Sequence, residues 1–260
     1  MTPISSRNNP RVRRWRELMR DTGARREEGC ILLEGMNLVA ACVSSGTAIR
    51  NLLLSRSGMD RPEVADILRH HGAAPVVLSD AVFRSIADTE SPCGIAAEIA
   101  LPGSKADLAA SPGCVLLEEV QDAGNVGALL RSAAAFGIRD AVLGRGCADA
   151  WSPKVLRAAA GAHFSVAIAE QADLFAAIET FGGAAVCTVP RGGTPIAQAA
   201  LPRRIAWIFG AEGRGVSKAL AARATHTVSI PMQGLAESLN VAAAAAICFY
   251  QASLRNGKIP

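Results

Sequence analysis

Three stretches of this 260-residue chain set polar side chains into glycine turns and apolar runs, where chemistry is their natural use. The first, QDAGNVGALLRSAAAFG (121–137), follows the apolar CVLLEEV and reads as strand, glycine turn and helix. Its Asn125 can cap that helix by accepting a hydrogen bond from a first-turn N–H. Its Arg131 stands among small and apolar residues on nearly all sides, so a buried guanidinium is expected. Such a group needs a structural carboxylate or an external anion. The second stretch, IAWIFGAEGRGVS (205–217), is a strand running into GxExxG. Gly210, Gly213 and Gly215 allow close approach of backbone to a ligand, and Glu212 falls at the carboxyl end of the strand, where α/β sheets bind ligands. The third, HTVSIPMQGLAESLNVAAAAAICFYQ (226–251), ends a strand near Pro231 and opens a long helix at SLN. Ser238 is the expected N-cap, with Asn240 in the first turn, where asparagine has poor propensity. Alanines 242–246 permit another backbone to pack closely.

The elements that must position these groups alternate. A helix over about 8–22 carries an apolar stripe of Val12, Trp15, Leu18 and Met19. ILLEG, IRNLLLS, PVVLS and GIAAEIA then read as strands, with helices over 38–46, 62–72 and 80–88 between them. LPGSKADLAASPG (101–113) gathers Pro, Gly and Ser and is the best linker. Beyond it CVLLEEV, AVLG, FSVAIA, AAVCTV, IAWIFG and HTVSIPM alternate with helices at 126–136, 153–160, 173–181, 216–223 and 239–254. Strands this apolar imply a mainly parallel sheet covered on both faces. The organisation predicted is a basic helical segment (1–27), a small α/β domain (28–102) and a larger α/β domain (112–260).

Charge is uneven. Residues 1–26 hold eight arginines against Glu17 and Asp21, a balance of +6 in a chain of net charge +4, so the remainder sums to −2. That segment, with Arg11, Arg13 and Arg14 at its centre, fits phosphate contact; a solvated helix face in an arginine-rich chain is the plainer alternative. Seven scattered cysteines without CxxC predict reduced, mostly buried thiols and a cytoplasmic protein. Four histidines without ligand spacing predict no metal. The longest apolar run, 241–250, is too short to span a bilayer, and the arginines of the N-terminus precede no apolar leader region, so no membrane or secretory segment is expected. A nicotinamide oxidoreductase would carry GxGxxG early with an acid ~20 residues on, and that arrangement is missing.

Taken in order, the asparagine–arginine helix start, the GxExxG turn and the IPM…SLNVA helix resemble the three motifs of the SpoU (TrmH-like) family of the SPOUT superfamily. The resemblance covers about 112–255, including SPKVLRAAAGAHF (152–164), while 28–100, from LLEGMNLV, is more weakly similar to the family's L30e-like substrate-binding domain. It implies a C-terminal parallel sheet with a deep trefoil knot. It also implies a homodimer with the active site at the subunit interface, and transfer of a methyl group from S-adenosyl-L-methionine to an RNA ribose 2′-hydroxyl. By motif, the cofactor contacts fall on Gly210, Ile230 and Leu239, with Phe209, Met232 and Ser238 beside them. The polar set falls on Asn125, Arg131, Glu212, Ser238 and Asn240, with Arg131 toward RNA. Ribosomal RNA is favoured; a transfer-RNA methyltransferase, or a silent RNA-binding protein on the same fold, are the alternatives. The chain departs from the family pattern at Ala123, Ala242 and Gln251, where proline, serine and glutamate are usual.

Overall fold

The first helix, α1 (Pro10–Arg20), starts where Asn9 accepts a hydrogen bond from the Arg11 N–H at 2.9 Å and Pro10 occupies the first turn. A missing N–H costs nothing there. Its stripe of Val12, Trp15, Leu18 and Met19 is buried. Asp21 ends α1 and caps a second helix, α2 (Thr22–Glu28), by accepting from the Ala24 N–H at 2.6 Å. The sequence TGARREE lacks an apolar stripe, which is why this helix escapes a periodicity search; its caps define it. The computed structural model describes residues 2–71, 74–103, 106–234 and 237–255. The chain divides into two units, Met1–Gly103 with Trp151–Phe164, and Ser104–Ala150 with Ser165–Pro260.

In the first unit β1 (Cys30–Glu34), α3 (Met36–Ser44), β2 (Ile49–Ser55), α4 (Pro62–His71), β3 (Val76–Leu78), α5 (Asp80–Ile86) and β4 (Ile95–Ala100) follow in order. The sheet runs β1-β4-β2-β3, with β4 antiparallel to both neighbours and β3 parallel to β2. Trp15, Leu18 and Met19 of α1 pack with Leu53, Leu78, Val82, Phe83 and Ile86 in one core. One buried acid pins the helix to the sheet. Glu98 of β4, only 2% exposed, accepts from Arg14 Nη2 at 2.9 Å, from Trp15 Nε1 at 2.8 Å and from Asn51 Nδ2 at 2.8 Å. Burial works to raise the Glu98 carboxyl, but these three hydrogen bonds and the Arg14 charge outweigh it and hold the group below the usual carboxylate range.

The second unit begins with β5 (Gly113–Leu117), α6 (Ala123–Ala135) and β6 (Asp140–Gly144). The chain then contributes α7 (Pro153–Ala159) to the first unit, so SPKVLRAAAGAHF packs there, although the sequence reading set it within 112–260. Back in the second unit come β7 (Ala167–Ala172), α8 (Leu174–Phe181), β8 (Ala184–Thr188), β9 (Thr194–Pro195), β10 (Ile205–Phe209), α9 (Lys218–Ala221), β11 (His226–Ser229) and α10 (Val241–Arg255). Their order is β7-β6-β5-β10-β8-β11-β9, every pairing parallel. Strand β9, two residues long, carries no periodic signal and was not expected. Along β10 the side chains alternate. Ala206 and Ile208 join Cys114, Leu116, Leu174 and Phe181 on one face. Trp207 and Phe209 meet Phe249 of α10 on the other, at ring separations of 6.1 and 5.7 Å.

All seven cysteines are free thiols, five of them buried. Burial pushes Cys42 up to about 11, and Cys114 and Cys248 up to about 12, so at neutral pH these groups are protonated core residues. Among the described residues no helix is long and apolar enough to cross a membrane, and no group of three or more His, Cys, Asp or Glu could hold a metal ion.

Candidate active site at the carboxyl ends of β8, β10 and β11

Three adjacent parallel strands end on one edge of the large sheet, at Thr188, Phe209 and Ser229. The loops leaving them enclose a mainly apolar cleft of about 350 Å³. Phe209, Gly210, Ile230, Met232, Ser238 and Leu239 all line it, as do Glu212 and Asn240 at its polar rim. Leu239 is 39% exposed, an apolar side chain left open at the edge of the cleft.

Gly210 is there for space. Its φ is not in the left-handed region, but a Cβ on it would lie 2.1 Å from the carbonyl carbon and oxygen of Gly215. The GxExxG turn therefore folds back directly over Gly210, and the Gly215 N–H closes it by donating to the Ala211 carbonyl at 2.8 Å. Gly213 (φ 81°) and Gly215 (φ 67°) occupy left-handed backbone, the conformation that glycine adopts at least cost. Glu118, at the end of β5, anchors the far side of the loop by accepting from the Ser217 N–H at 2.6 Å.

The turn carries Glu212 to a polar cluster drawn from all three motifs. Glu212 Oε1 accepts from Asn125 Nδ2 and, at 3.3 Å, from Asn240 Nδ2. Asn240 Nδ2 also donates to Asn125 Oδ1 at 2.9 Å. Asn240 Oδ1 accepts from the N–H groups of Ala242 and Ala243 at 2.9 and 3.3 Å. Asn240 is thus the N-cap of α10, which corrects the assignment of that role to Ser238. Ser238 is exposed at the cleft wall, two residues before the cap. Asn125 is not a cap either. Asp122 caps α6 by accepting from the Asn125 N–H at 2.8 Å, leaving the Asn125 amide for the cluster. Ala123 is the first residue after that cap, the place where a proline is also at ease, so this departure from the family pattern keeps the helix start.

Arg131 differs from expectation. It is exposed, outside the cluster and absent from the cleft lining. The face of α6 that packs inward carries Val126, Gly127, Leu129, Leu130 and Ala133. Small residues tolerate either environment, so apolar composition all round did not mean burial all round. Among the described residues Arg131 makes no hydrogen bond or ion pair. Of the arginines expected at RNA, Arg14 is committed internally to Glu98 and Glu28. Arg11 donates to Asn51 at 2.9 Å and lies 5.0 Å from the Trp15 ring centre. Arg13, like Arg131, is exposed and has no such partner among the described residues. A buried acid 84 positions away recruited Arg14, and no local pattern announces that.

Thr188, Val189 and Pro190 of the cleft were missed by sequence reading. The available signal was the end of AAVCTV: in a parallel sheet the carboxyl ends of neighbouring strands share one edge.

Comparison with known proteins finds two family matches along the chain. Residues 112–250 match the SpoU rRNA Methylase family, and residues 9–97 match an MRM3-like substrate binding domain. A 23S rRNA (guanosine(2553)-2′-O)-methyltransferase of Bacillus subtilis is 33% identical over 252 residues, covering 96% of this chain and 98% of its own. A 23S rRNA (uridine(2479)-2′-O)-methyltransferase of Streptomyces viridochromogenes is 27% identical, covering 96% and 91%. The AdoMet-bound structure of an rRNA methyltransferase from Sinorhizobium meliloti superimposes with a TM-score of 0.84 at 25% identity, covering 100% of this chain and 99% of its own.

Proposed function

The chain belongs to the SpoU rRNA Methylase family, and from that premise we propose that it methylates a ribose 2′-hydroxyl of ribosomal RNA with S-adenosyl-L-methionine as donor. The observation that carries the reading is the Asn125–Glu212–Asn240 cluster. Three segments separated by up to 115 positions meet at the rim of a cleft sized for a nucleoside-bearing cofactor.

The residues present fit that cofactor. Gly210 admits nothing larger than hydrogen, Phe209, Ile230, Met232 and Leu239 offer an apolar lining, and Ser238 adds a hydroxyl. When bound, the cofactor supplies an electrophilic methyl group on a sulfonium. The protein's own part is positioning and electrostatics. Asn240 spends its carbonyl oxygen on capping α10 and its amide on the cluster, so it orients and does not reach out. Asn125, on α6, spends its Oδ1 on the Asn240 amide and its own amide on Glu212, so it orients as well. Glu212 Oε1 is engaged by both amides, which fixes the carboxylate at the cleft and leaves Oε2 to accept from an incoming hydroxyl. Placing such an acceptor beforehand removes much of the ordering entropy of the reaction. Arg131, exposed and without a partner among the described residues, is the group we assign to the RNA phosphate beside the reacting ribose; a guanidinium matches that geometry in bidentate fashion.

A homodimer and a trefoil-knotted path belong to the same reading. Support for the dimer comes from α10, which leaves Ile247, Tyr250 and Leu254 39%, 50% and 41% exposed. Their spacing of three and four residues puts them on one helix face, an apolar strip of the kind a second copy covers. A cytoplasmic location belongs to the same reading, supported by seven cysteines that all remain free thiols.

The test uses purified full-length protein, labelled S-adenosyl-L-methionine, and ribosomal or transfer RNA. Nuclease digests should contain 2′-O-methyl nucleosides from ribosomal RNA. Transfer to transfer RNA alone would correct the substrate. No heat of cofactor binding by calorimetry would defeat the reading.

A further inference from the structure

Arg16 and Arg20 of α1, Arg84 of α5 and Arg7 from the segment before α1 line one groove of about 350 Å³ in the first unit. Ser85 completes its lining, and among the described residues no carboxylate does. Arg16 is fixed in place. Its Nε donates to the Ser85 carbonyl at 3.3 Å and its Nη2 to Ser85 Oγ at 3.2 Å, while Ser85 Oγ donates to the Val82 carbonyl at 2.7 Å. Arg7, Arg20 and Arg84 are exposed, and none makes a hydrogen bond or ion pair among the described residues.

The acids nearby do not neutralise the set. Asp80, four positions before Arg84 on α5, feels the Arg84 charge only as a minor partner; it is held chiefly by Ser57, accepting from its N–H at 3.0 Å and its hydroxyl at 2.6 Å, and lies outside the lining. Glu17 of α1 lies outside the lining. Other arginines of the unit are held by acids, among them Arg14 by Glu98 and Glu28 and Arg157 by Asp88, while Arg13, Arg56 and Arg61 stand exposed outside the groove. Arg16 and Arg20 are four apart on one helix, a spacing at which like charges repel and weaken the helix. A fold that keeps four guanidinium groups together without an acid between them is complementary to an external polyanion.

We propose that this groove is a sugar–phosphate backbone site for RNA. The proposal rests on the reading of RNA as the substrate. Arginine forks match phosphate oxygens in pairs. The aromatic side chains closest to hand, Trp15 and Phe83, are 1% exposed and offer no stacking face for a base. Without stacking or apolar anchors the groove supplies affinity and register, not choice of sequence. A protein partner would need an apolar anchor that this groove lacks. The RNA grip of the N-terminal region therefore lies at Arg7, Arg16, Arg20 and Arg84, on a different set of side chains from Arg11 and Arg14, which the fold has used internally.

The experiment is fluorescence anisotropy with full-length protein and labelled fragments transcribed from 23S rRNA, between 50 and 300 mM KCl. In Arg20→Ala/Arg84→Ala the dissociation constant rises on the order of tenfold near 100 mM, and the log–log salt slope becomes shallower by about 1.4, at ~0.7 per lost phosphate contact. The loss is the same for fragments of unrelated sequence. Arg20→Lys/Arg84→Lys retains most of the slope, because the charges remain. Calorimetry of S-adenosyl-L-methionine serves as the folding control and reads the methyltransferase assignment separately. Unchanged affinity and slope in the alanine pair overturn the groove whether or not the wild type methylates RNA. So does an equal change in Arg56→Ala/Arg61→Ala, two exposed arginines outside it, which would reduce the effect to net charge. A wild type that binds no RNA also overturns it.

Discussion

Gly210→Ala tests the cleft with one methyl group. Alanine suits the Gly210 backbone, whose φ is not in the left-handed region, so the effect is steric and not conformational. The added carbon would sit 2.1 Å from the Gly215 carbonyl carbon and oxygen, about 1.4 Å inside the ~3.5 Å at which such atoms come to rest. The obstacle is backbone, so no rotamer relieves it. The turn is closed on itself by the Gly215 N–H to the Ala211 carbonyl, so it must move as a body, and Glu212 moves with it. An ångström of displacement breaks the hydrogen bonds from Asn125 and Asn240, and misplacement of that order lowers turnover about 100-fold. Overpacking costs about 1–3 kcal/mol, which the exposed outer side of the turn can absorb by shifting into solvent. We therefore expect a folded variant with cooperative unfolding, cofactor affinity weakened at least tenfold, and single-turnover methyl transfer down about 100-fold. Wild-type cofactor affinity and turnover in Gly210→Ala would refute the assignment of this turn to the active site.

Arg131→Lys should leave the melting temperature unchanged, because the side chain is exposed, while turnover at saturating cofactor falls on the order of 100-fold; near-normal turnover removes the guanidinium-specific role. Asn240→Ala loses the α10 cap, about 1 kcal/mol in denaturant unfolding, and most activity; Asn240→Ser should restore the cap and not the activity. Tyr250→Glu puts a charge into the apolar strip of α10, and light scattering should then report a monomer with little methyl transfer. Glu98→Ala strands Arg14 and the Trp15 N–H and should cost about 2–4 kcal/mol. In the wild type the Glu98 carboxyl is held low in the folded state. Its contribution is therefore complete above the unfolded value of about 4.3 and is lost as pH falls through the lower folded value, which urea unfolding between pH 5 and 3 will resolve.

The strands were legible because the chemistry of a buried parallel strand is simple. IRNLLLS is β2 (Ile49–Ser55), and IAWIF is β10 (Ile205–Phe209), buried at every position. Helix starts were less legible. Asp122, Asn125, Ser238 and Asn240 are all acceptable caps by type, and which of them caps depends on the residue at which the chain turns. The burial of Arg131 was misread for a related reason. Alanine and glycine around it are indifferent to solvent, so the face that packs inward is the one carrying Val126, Leu129 and Leu130, and Arg131 lies off it.

What the sequence determined by itself was the kind of sheet and the three motifs, since both depend on residue type within a few positions. It also determined that the N-terminal segment is basic. Tertiary structure decided which charges were free. Glu98, buried in β4, needs compensation for its lost hydration and takes it from Arg14, Trp15 and Asn51, across 84, 83 and 47 positions. That demand commits Arg14 internally, while Arg7, Arg20 and Arg84 stay exposed beside the half-buried Arg16. The same holds at the cleft. Asn125, Glu212 and Asn240 are ordinary loop and helix-end residues until the parallel sheet brings their strands to one edge, where hydrogen bonding fixes them as a single group.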